Sequence, residues 1–244
     1  MRAILLVLAL ALGSTSALAA EDGAPYYPDH PLTREELAGK SLRELDLMRN
    51  TIYARVGNVF RKAWLRDYFT QQPWYKPTGL DASKLSEQDK QNAATIAEYT
   101  LSIPRPELQK RLRALNAKGD KATTEDRTEL SLLRRALGGE GGAADSNPLD
   151  NPTLLDKPIT AEMLKDMSGR DLRLLRNLIY ARRGRPFKDK ELREYFQRME
   201  WYKPDPKFTE ARLTRLDHRN LTVVKGVEDE VNMPFDKGQI FGAA

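Results

Sequence analysis

An internal duplication constrains the fold of this 244-residue chain more than any other feature. When the sequence is displaced by 127 positions, residues 31–77 align without a gap on residues 158–204, and 24 of the 47 aligned positions are identical. One extra residue in the second copy lets the match continue to Asn92 and Asn220. Self-similarity at a fixed spacing indicates that one supersecondary unit is built twice. We therefore predict two homologous domains, over 31–102 and 158–232.

Helical periodicity runs through each copy. In the first copy, apolar residues recur every three or four positions over 41–56, which favours a helix that Gly57 would end. Two further helices are predicted at 62–71 and 86–101. A Trp-Tyr-Lys-Pro segment follows the second helix in both copies, and its proline cannot continue a helix. The matching residues of the second copy predict the same order of helices.

Two local features differ between the copies. Thr33 stands three residues before Glu36, which predicts a capping box at a first helical turn, and Thr160 is expected to keep the cap in the second copy. The segment 221–227 is rich in β-branched residues, so its composition is compatible with a strand as well as a helix. The predicted class is nevertheless all-α, with two small homologous helical domains joined by a partly helical linker rich in Gly, Asp, Asn and Pro.

The N-terminal segment has the three parts of a secretory signal. Arg2 precedes an apolar run over 3–12, and small residues at 17–19 offer a cleavage site. The run is too short to span a bilayer, which needs about 20 residues. We expect a cleavable signal peptide over 1–20 and a periplasmic or extracellular mature chain, the alternative being a buried or interfacial N-terminal helix.

The segments outside the copies have distinct compositions. Two charged, helix-favouring stretches precede a run of Gly, Asp, Asn and Pro that is typical of a flexible linker. The predicted segments are an extended lead-in at 21–30, a helical connector at 103–137, a flexible linker at 138–157 and a tail at 233–244.

Composition excludes several kinds of site. The chain has no Cys and two His, which excludes disulfide scaffolds, thiol nucleophiles and Cys-ligated zinc. We expect no cofactor and no metal. The formal net charge is +5, and the second copy is more basic, at +4 over 158–233 against +2 over 31–102. An exported basic protein meets anionic polymers and envelope proteins rather than nucleic acid, so no nucleic-acid partner is expected.

Both copies share an ordered set of motifs: RN-x-I-Y-A-R-x-G, an aromatic three residues after the glycine, L-R-x-Y-F, and WYKP. This set resembles the YARHG domain, a small bacterial module named for its Tyr-Ala-Arg-His-Gly sequence, which residues 53–57 and 180–184 match. The histidine of that name is Val56 in the first copy and Arg183 in the second, so any role of an imidazole is absent here. The resemblance implies an extracytoplasmic module without an agreed catalytic activity.

The shared polar and aromatic residues are the candidates for ligand binding. Arg49 and Tyr53 lie four positions apart on one helix, and with neighbouring Asn50 they would form a pocket for a carboxylate, a phosphate or a peptide terminus. The structural alternative is that they tie loop carbonyls to the helix and fill the core. The candidate residues are Arg49, Asn50, Tyr53, Arg55, Arg176, Asn177, Tyr180, Arg182, Arg183, Arg185, Trp201 and Tyr202.

The aromatic pairs and the basic run of the second copy also have two interpretations. Trp201-Tyr202, like Trp74-Tyr75, would offer a platform for a sugar ring or anchor one helix on another. The basic residues of 182–190 would either bind a polyanion or form a solvent-exposed turn. Neither pattern distinguishes between its two interpretations by itself.

The leading functional hypothesis is an exported, non-catalytic tandem binding module of the bacterial cell envelope. Its expected partner is an anionic envelope polymer or an envelope protein. Two copies on a flexible tether would raise avidity for a repeating ligand. The first alternative is a spacer or assembly protein whose copies dock on each other. The second is a hydrolase with two close carboxylates in a cleft between the copies.

Overall fold

The computed structural model describes residues 24–139 and 147–231. The regular structure within these ranges is entirely helical, which confirms the all-α prediction. The predicted signal peptide at 1–20 and tail at 233–244 lie outside the described residues. The α-helices are α1 (Arg34–Leu37), α2 (Leu42–Arg55), α3 (Ala63–Thr70), α4 (Glu87–Ser102), α5 (Arg105–Asn116), α6 (Thr124–Ala136), α7 (Gly169–Ala181), α8 (Lys190–Gln197) and α9 (Arg215–Val231). Short 3₁₀ turns join them at Ala82–Lys84, Gly119–Lys121, Pro152–Asp156, Ala161–Leu164 and Glu210–Arg212.

The helix boundaries follow from local chemistry. Ser41 accepts a hydrogen bond from the Glu44 amide, and the Glu44 carboxylate reaches back, so a capping box starts α2. Gly57 ends the same helix at a φ of 87°, a conformation that side chains with a Cβ rarely adopt. Thr33 makes the expected box with Glu36.

One expectation for the second copy is wrong, and one question that the sequence left open is resolved. Thr160 precedes a 3₁₀ turn and makes no capping hydrogen bond with its side chain, because the Met163 amide that it would cap bonds to the Thr160 carbonyl at 3.2 Å. The β-branched segment 221–227 is helical and lies inside α9. Val224 and Val227 fall on its buried face, so tertiary packing overrides their strand propensity.

The first core extends beyond the first copy. Leucines of α2 and Ile96 of α4 pack with Leu108 of α5 and with Leu130 and Leu133 of α6. The Glu129 carboxylate of α6 also accepts hydrogen bonds from the backbone amides of Leu42 and Arg43, at 3.0 and 2.6 Å. The helical connector is thus an integral part of the first structural unit.

The second core is built from α7, α8 and α9. Leu149 and Leu155 are buried in it, although we expected both within a flexible linker over 138–157. Residues 147–157 therefore pack as part of the second unit, and residues 140–146 lie outside the described ranges. The lead-in is also packed, since the Tyr27 hydroxyl donates to Asp89 of α4 at 2.9 Å.

The two copies reproduce the same aromatic cluster. Phe60 stacks on Phe69 with ring centroids 4.5 Å apart, and Phe187 stacks on Phe196 at 4.9 Å. The hydroxyl of the WYKP tyrosine donates to a carbonyl of the turn after the glycine, at 2.6 Å in the first copy and 2.7 Å in the second. The cluster therefore fastens the WYKP segment to both the turn and the shorter helix.

The two units dock directly on each other. Arg61 donates to the Lys165 carbonyl at 2.7 Å, and the Arg198 guanidinium donates to the Ile103 carbonyl at 3.2 Å. Exposed ion pairs cross the same boundary, with Lys190 3.3 Å from Glu98. These contacts fix one orientation of the second unit relative to the first and its connector.

Candidate functional site

The shared asparagines and tyrosines lie inside each unit. The Asn50 amide donates to the Asp46 carbonyl, one turn earlier in α2, at 2.8 Å, and its counterpart Asn177 donates to the Arg173 carbonyl of α7 at the same distance. Tyr53, Tyr180 and Tyr202 are buried. The tyrosines thus fill the core, as the structural alternative holds, whereas these two asparagine bonds run within a helix rather than to a loop.

The arginines that precede the shared asparagine differ between the copies. Arg49 is 3% exposed and lies over the ring of Tyr53 at 5.2 Å. Arg176, its counterpart in α7, is half-buried and forms an ion pair with Glu228 of α9 at 3.0 Å. The same motif position thus has a different electrostatic environment in each unit.

The basic turn after α7 is largely paired with acidic residues. Arg183 makes two hydrogen bonds to the Asp217 carboxylate, at 2.7 and 3.1 Å, and Arg182 pairs with Asp156. Arg185 lies over the Tyr180 ring at 4.6 Å. The basic run is therefore not a uniform cationic surface.

Burial opposes ionisation of Asp217, but Arg183 and Thr214 donate hydrogen bonds to it, and the pKa of this carboxyl is lowered. Asp217 is also the residue that caps the start of α9 through Thr214. Arg183 and Asp217 therefore form a structural ion pair, which holds the turn at residues 180–184 (the YARRG turn) to α9.

A groove lies between the YARRG turn and the WYKP segment of the second copy. We call it the turn groove; it has a volume of about 430 Å³. The Trp201 indole is 38% exposed at this groove, whereas Tyr202 is buried against the turn. Its polar and aromatic lining side chains are Arg182, Arg183, Trp201, Lys203, Asp205 and Arg212.

The first copy covers the corresponding turn differently. Arg55, the counterpart of Arg182, lies over the ring of Tyr27 from the lead-in at 3.7 Å. Val56 stands where the second copy has Arg183. The turn groove thus combines an exposed indole with cationic side chains only in the second copy, among the described residues.

A charged cluster between the units was missed by sequence reasoning. Lys62 of the first unit lies 3.6 Å from both Asp46 and Asp171, and Asp171 also lies 3.1 Å from Arg135. Although burial acts to raise it, the pKa of Asp171 falls to about 2 because Arg135, Lys62 and Arg170 surround the carboxylate. Arg135 pairs in addition with Asp150, at 2.7 Å.

The repeat alignment carries no signal of this boundary. Asp46 of the first copy aligns with Arg173 of the second, and Lys62 aligns with Asp189, so charge reverses at two matched positions. These two positions pair with each other in both copies, at 3.6 Å in the first and 2.9 Å in the second, so the reversal preserves one ion pair within each repeat. The boundary itself is formed by the additional contact of Lys62 with Asp171, two residues that are 109 positions apart and share no motif.

The cleft between the units contains two close carboxylates, as the hydrolase alternative required. However, Asp46 and Asp171 are bridged by the same lysine, and the low pKa of Asp171 keeps that group ionised. This arrangement is a salt-bridge network rather than a proton donor and acceptor pair. No group of three or more potential metal ligands occurs in residues 24–139 and 147–231, and no helix of that part has the length and apolarity needed to cross a membrane.

Comparison with known proteins agrees with the two-unit architecture. The YARHG domain model matches residues 24–100 and 147–229, ranges that include the packed lead-in and the packed end of the expected linker. No curated protein and no solved structure matches the chain significantly. Because the two family matches together cover more than half of the sequence, this chain belongs to the YARHG domain family and carries that domain twice in tandem.

Proposed function

We propose that this protein is an exported, non-catalytic interaction protein of the bacterial cell envelope. Its binding face is the turn groove of the second unit, and its ligand is an anionic envelope polymer or an acidic segment of an envelope protein. The observation that carries this proposal is the exposed Trp201 indole among four cationic side chains and one acid. Guanidinium groups bind carboxylates and phosphates in a bidentate manner, and an indole adds apolar contact area.

The existing ion pairs decide which arginines would engage a ligand. Arg182 pairs with Asp156, which is 61% exposed, and Arg212 pairs with Asp205 at the surface. Exposed pairs of this kind contribute about 0–1 kcal/mol, so a ligand can exchange them at small cost. Arg183 differs, because its partner Asp217 is 5% exposed and would be left buried without a counter-ion. We therefore assign ligand contact to Arg182 and Arg212 and a structural role to Arg183.

Calorimetric titration of the purified protein with poly-L-glutamate tests this assignment. The double substitution Arg182→Gln and Arg212→Gln should weaken binding by about tenfold or more, because each charge-assisted contact contributes about 1.5–3 kcal/mol. The matched control is Arg193→Gln with Arg219→Gln, which removes the same charge from exposed positions elsewhere in the second unit. Equal losses in both double variants, or no binding by the unaltered protein, would contradict the proposal.

A second candidate function is a spacer or assembly protein that acts as one docked body. The contacts between the units support it, because a fixed orientation does not provide the flexible tether that avidity requires. Limited proteolysis distinguishes the two states of the chain. Resistance across the boundary supports a docked body, whereas cleavage that releases two independently stable halves contradicts it.

A further inference from the structure

A groove between the two units contains a tryptophan that the repeats do not share. We call it the boundary groove; its volume of about 440 Å³ lies within the range of about 300–1,000 Å³ that is typical of small-molecule sites. The first unit contributes the start of α3 and one face of α6, and the second unit contributes residues between Asn147 and Asp171. Both units therefore form this groove together.

Trp64 lines the boundary groove from α3 and is half-buried. The matching residue of the second repeat is Glu191, which is 2% exposed and pairs with Arg170 and Arg173. The fold of the repeat therefore does not require an aromatic side chain at this position. Among the described residues, Trp64 also makes none of the ring-to-ring contacts that join the other aromatic side chains around Phe69. An indole that is neither shared nor stacked is available to a ligand.

The charged groups of the boundary groove balance one another. Lys62 lies 3.6 Å from Asp171. Arg135 lies 2.7 Å from Asp150 and 3.1 Å from Asp171. One further cation and one further acid, both exposed, complete the charged lining: Arg127 and Asp166. An ion that entered would separate the inner pairs and leave a buried partner without its counter-ion. The lining therefore favours a neutral ligand that forms hydrogen bonds.

Hydroxyl and apolar side chains form the rest of the lining. Thr124, Thr128 and Ser131 are four and three positions apart, so they lie along one face of α6. Ser131 donates to Asp150 at 2.8 Å and Thr128 donates to the Thr124 carbonyl at 3.1 Å, so both hydroxyl oxygens can accept a hydrogen bond from a ligand. Met163 adds apolar surface from the second unit. A matching ligand has a flat apolar face for the indole and several hydroxyl groups, which are the properties of a sugar ring.

We propose that the boundary groove binds a neutral saccharide that carries N-acetyl groups. The sugar ring stacks on the Trp64 indole, whose negative face attracts the weakly positive C–H groups of the ring. The Asp166 carboxylate and the Arg127 guanidinium bind its hydroxyl groups. The acetamido methyl group packs on Met163, because a thioether side chain adapts to irregular apolar groups. Since both units line the groove, the saccharide also stabilises their docked arrangement.

Calorimetric titration of the purified protein with chitotriose, the β-1,4-linked trimer of N-acetylglucosamine, tests the site. We expect saturable binding that Trp64→Ala weakens by at least about tenfold, because the indole supplies both apolar area and electrostatic attraction. The control is Val59→Ala, which removes a 51% exposed apolar side chain of the same unit outside the groove and should leave the affinity unchanged. The absence of saturable binding, or an equal loss of affinity in both variants, would overturn the proposal.

Asp166→Asn keeps the test valid if Trp64→Ala does not fold, because Asp166 is 48% exposed and asparagine preserves its size. This variant should weaken chitotriose binding by about threefold or more, whereas Asp67→Asn, at an exposed position of α3 outside the groove, should not. Equal affinities of these two variants would contradict the site.

Cellotriose has the same linkage as chitotriose but no acetamido groups, so it tests the contact with Met163. It should bind at least about fivefold more weakly than chitotriose, because it lacks the apolar methyl groups. Equal affinity for the two sugars would overturn the assignment of an N-acetylated ligand. The poly-L-glutamate titration reports on the turn groove, so either proposal can fail without the other.

Discussion

Replacement of Asp171 by Asn tests whether the buried charges between the units hold the protein together. The side chain is 4% exposed and lies 3.1 Å from Arg135 and 3.6 Å from Lys62. Asparagine keeps the size of the side chain but removes its charge, so both cations lose a counter-ion within a region of low dielectric.

The structure gives the size of the effect. The pKa of Asp171 falls from 3.8 to about 2, and each pKa unit corresponds to about 1.4 kcal/mol of interaction with the charged form. The charge of Asp171 therefore stabilises the folded state by about 2–3 kcal/mol at neutral pH, and we expect Asp171→Asn to lower the free energy of unfolding by about that much. The matched control is Asp166→Asn, because Asp166 also pairs across the boundary, 3.7 Å from Arg66, but both partners are 48% exposed. That control should change stability by less than about 1 kcal/mol.

The pH dependence provides an independent check. A carboxyl whose pKa is lower in the folded state contributes its full stability above the unfolded pKa and loses it as the pH falls through the folded pKa. The difference in unfolding free energy between the unaltered protein and Asp171→Asn should be constant above pH 3.8 and shrink towards pH 2. Urea denaturation monitored by circular dichroism measures both quantities. A difference below about 0.5 kcal/mol at pH 7 would refute the reasoning, because surface substitutions alone reach that size.

Two further predictions concern glycines and asparagines. Gly57→Ala should destabilise the protein by about 2 kcal/mol, because the φ is 87° and the new Cβ would clash with the Thr78 hydroxyl. Gly226→Ala, inside α9, meets open space and should stabilise the protein by about 0.5–1 kcal/mol. Melting temperatures that move in the same direction would contradict this pair. Asn92→Ala and Asn220→Ala should each lower the unfolding free energy by about 2 kcal/mol. Each side-chain amide hydrogen-bonds backbone groups at or just before the start of its repeat, two groups for Asn92 and three for Asn220. Urea denaturation showing a loss in one repeat only would contradict the shared role.

The helices of the fold could be predicted from the sequence, because the patterns that specify them lie within short segments of the chain. Apolar periodicity and the glycine that follows predict α2 in the first copy and α7 in the second, and the match between the copies supports each helix twice. The 221–227 segment shows the limit of local propensity, because the burial of Val224 and Val227 in α9 depends on neighbours far along the chain.

The candidate site was harder to predict from the sequence than the fold, because its properties depend on pairs of residues that are distant in sequence. The prediction singled out Arg182 and Arg183 together, but only the structure shows that Arg183 holds a buried acid while Arg182 pairs at the surface. Arg135 and Asp171, 36 positions apart, carried no motif that would have drawn attention to them. Composition alone also marked residues 147–157 as a linker, although Leu149 and Leu155 are core residues.

The carboxylate of Glu129 makes the two halves of the duplication unequal partners in folding. The first amides of α2 bond to this carboxylate of α6, and part of the first core comes from α5 and α6, which follow the first repeat in the chain. The second core is enclosed by residues 147–231. A fragment that ends at residue 102 would therefore be an incomplete folding unit, while a fragment of residues 147–231 would contain its whole core. The two repeats are thus similar in sequence, but the first needs two helices from outside its own boundaries to complete its interior.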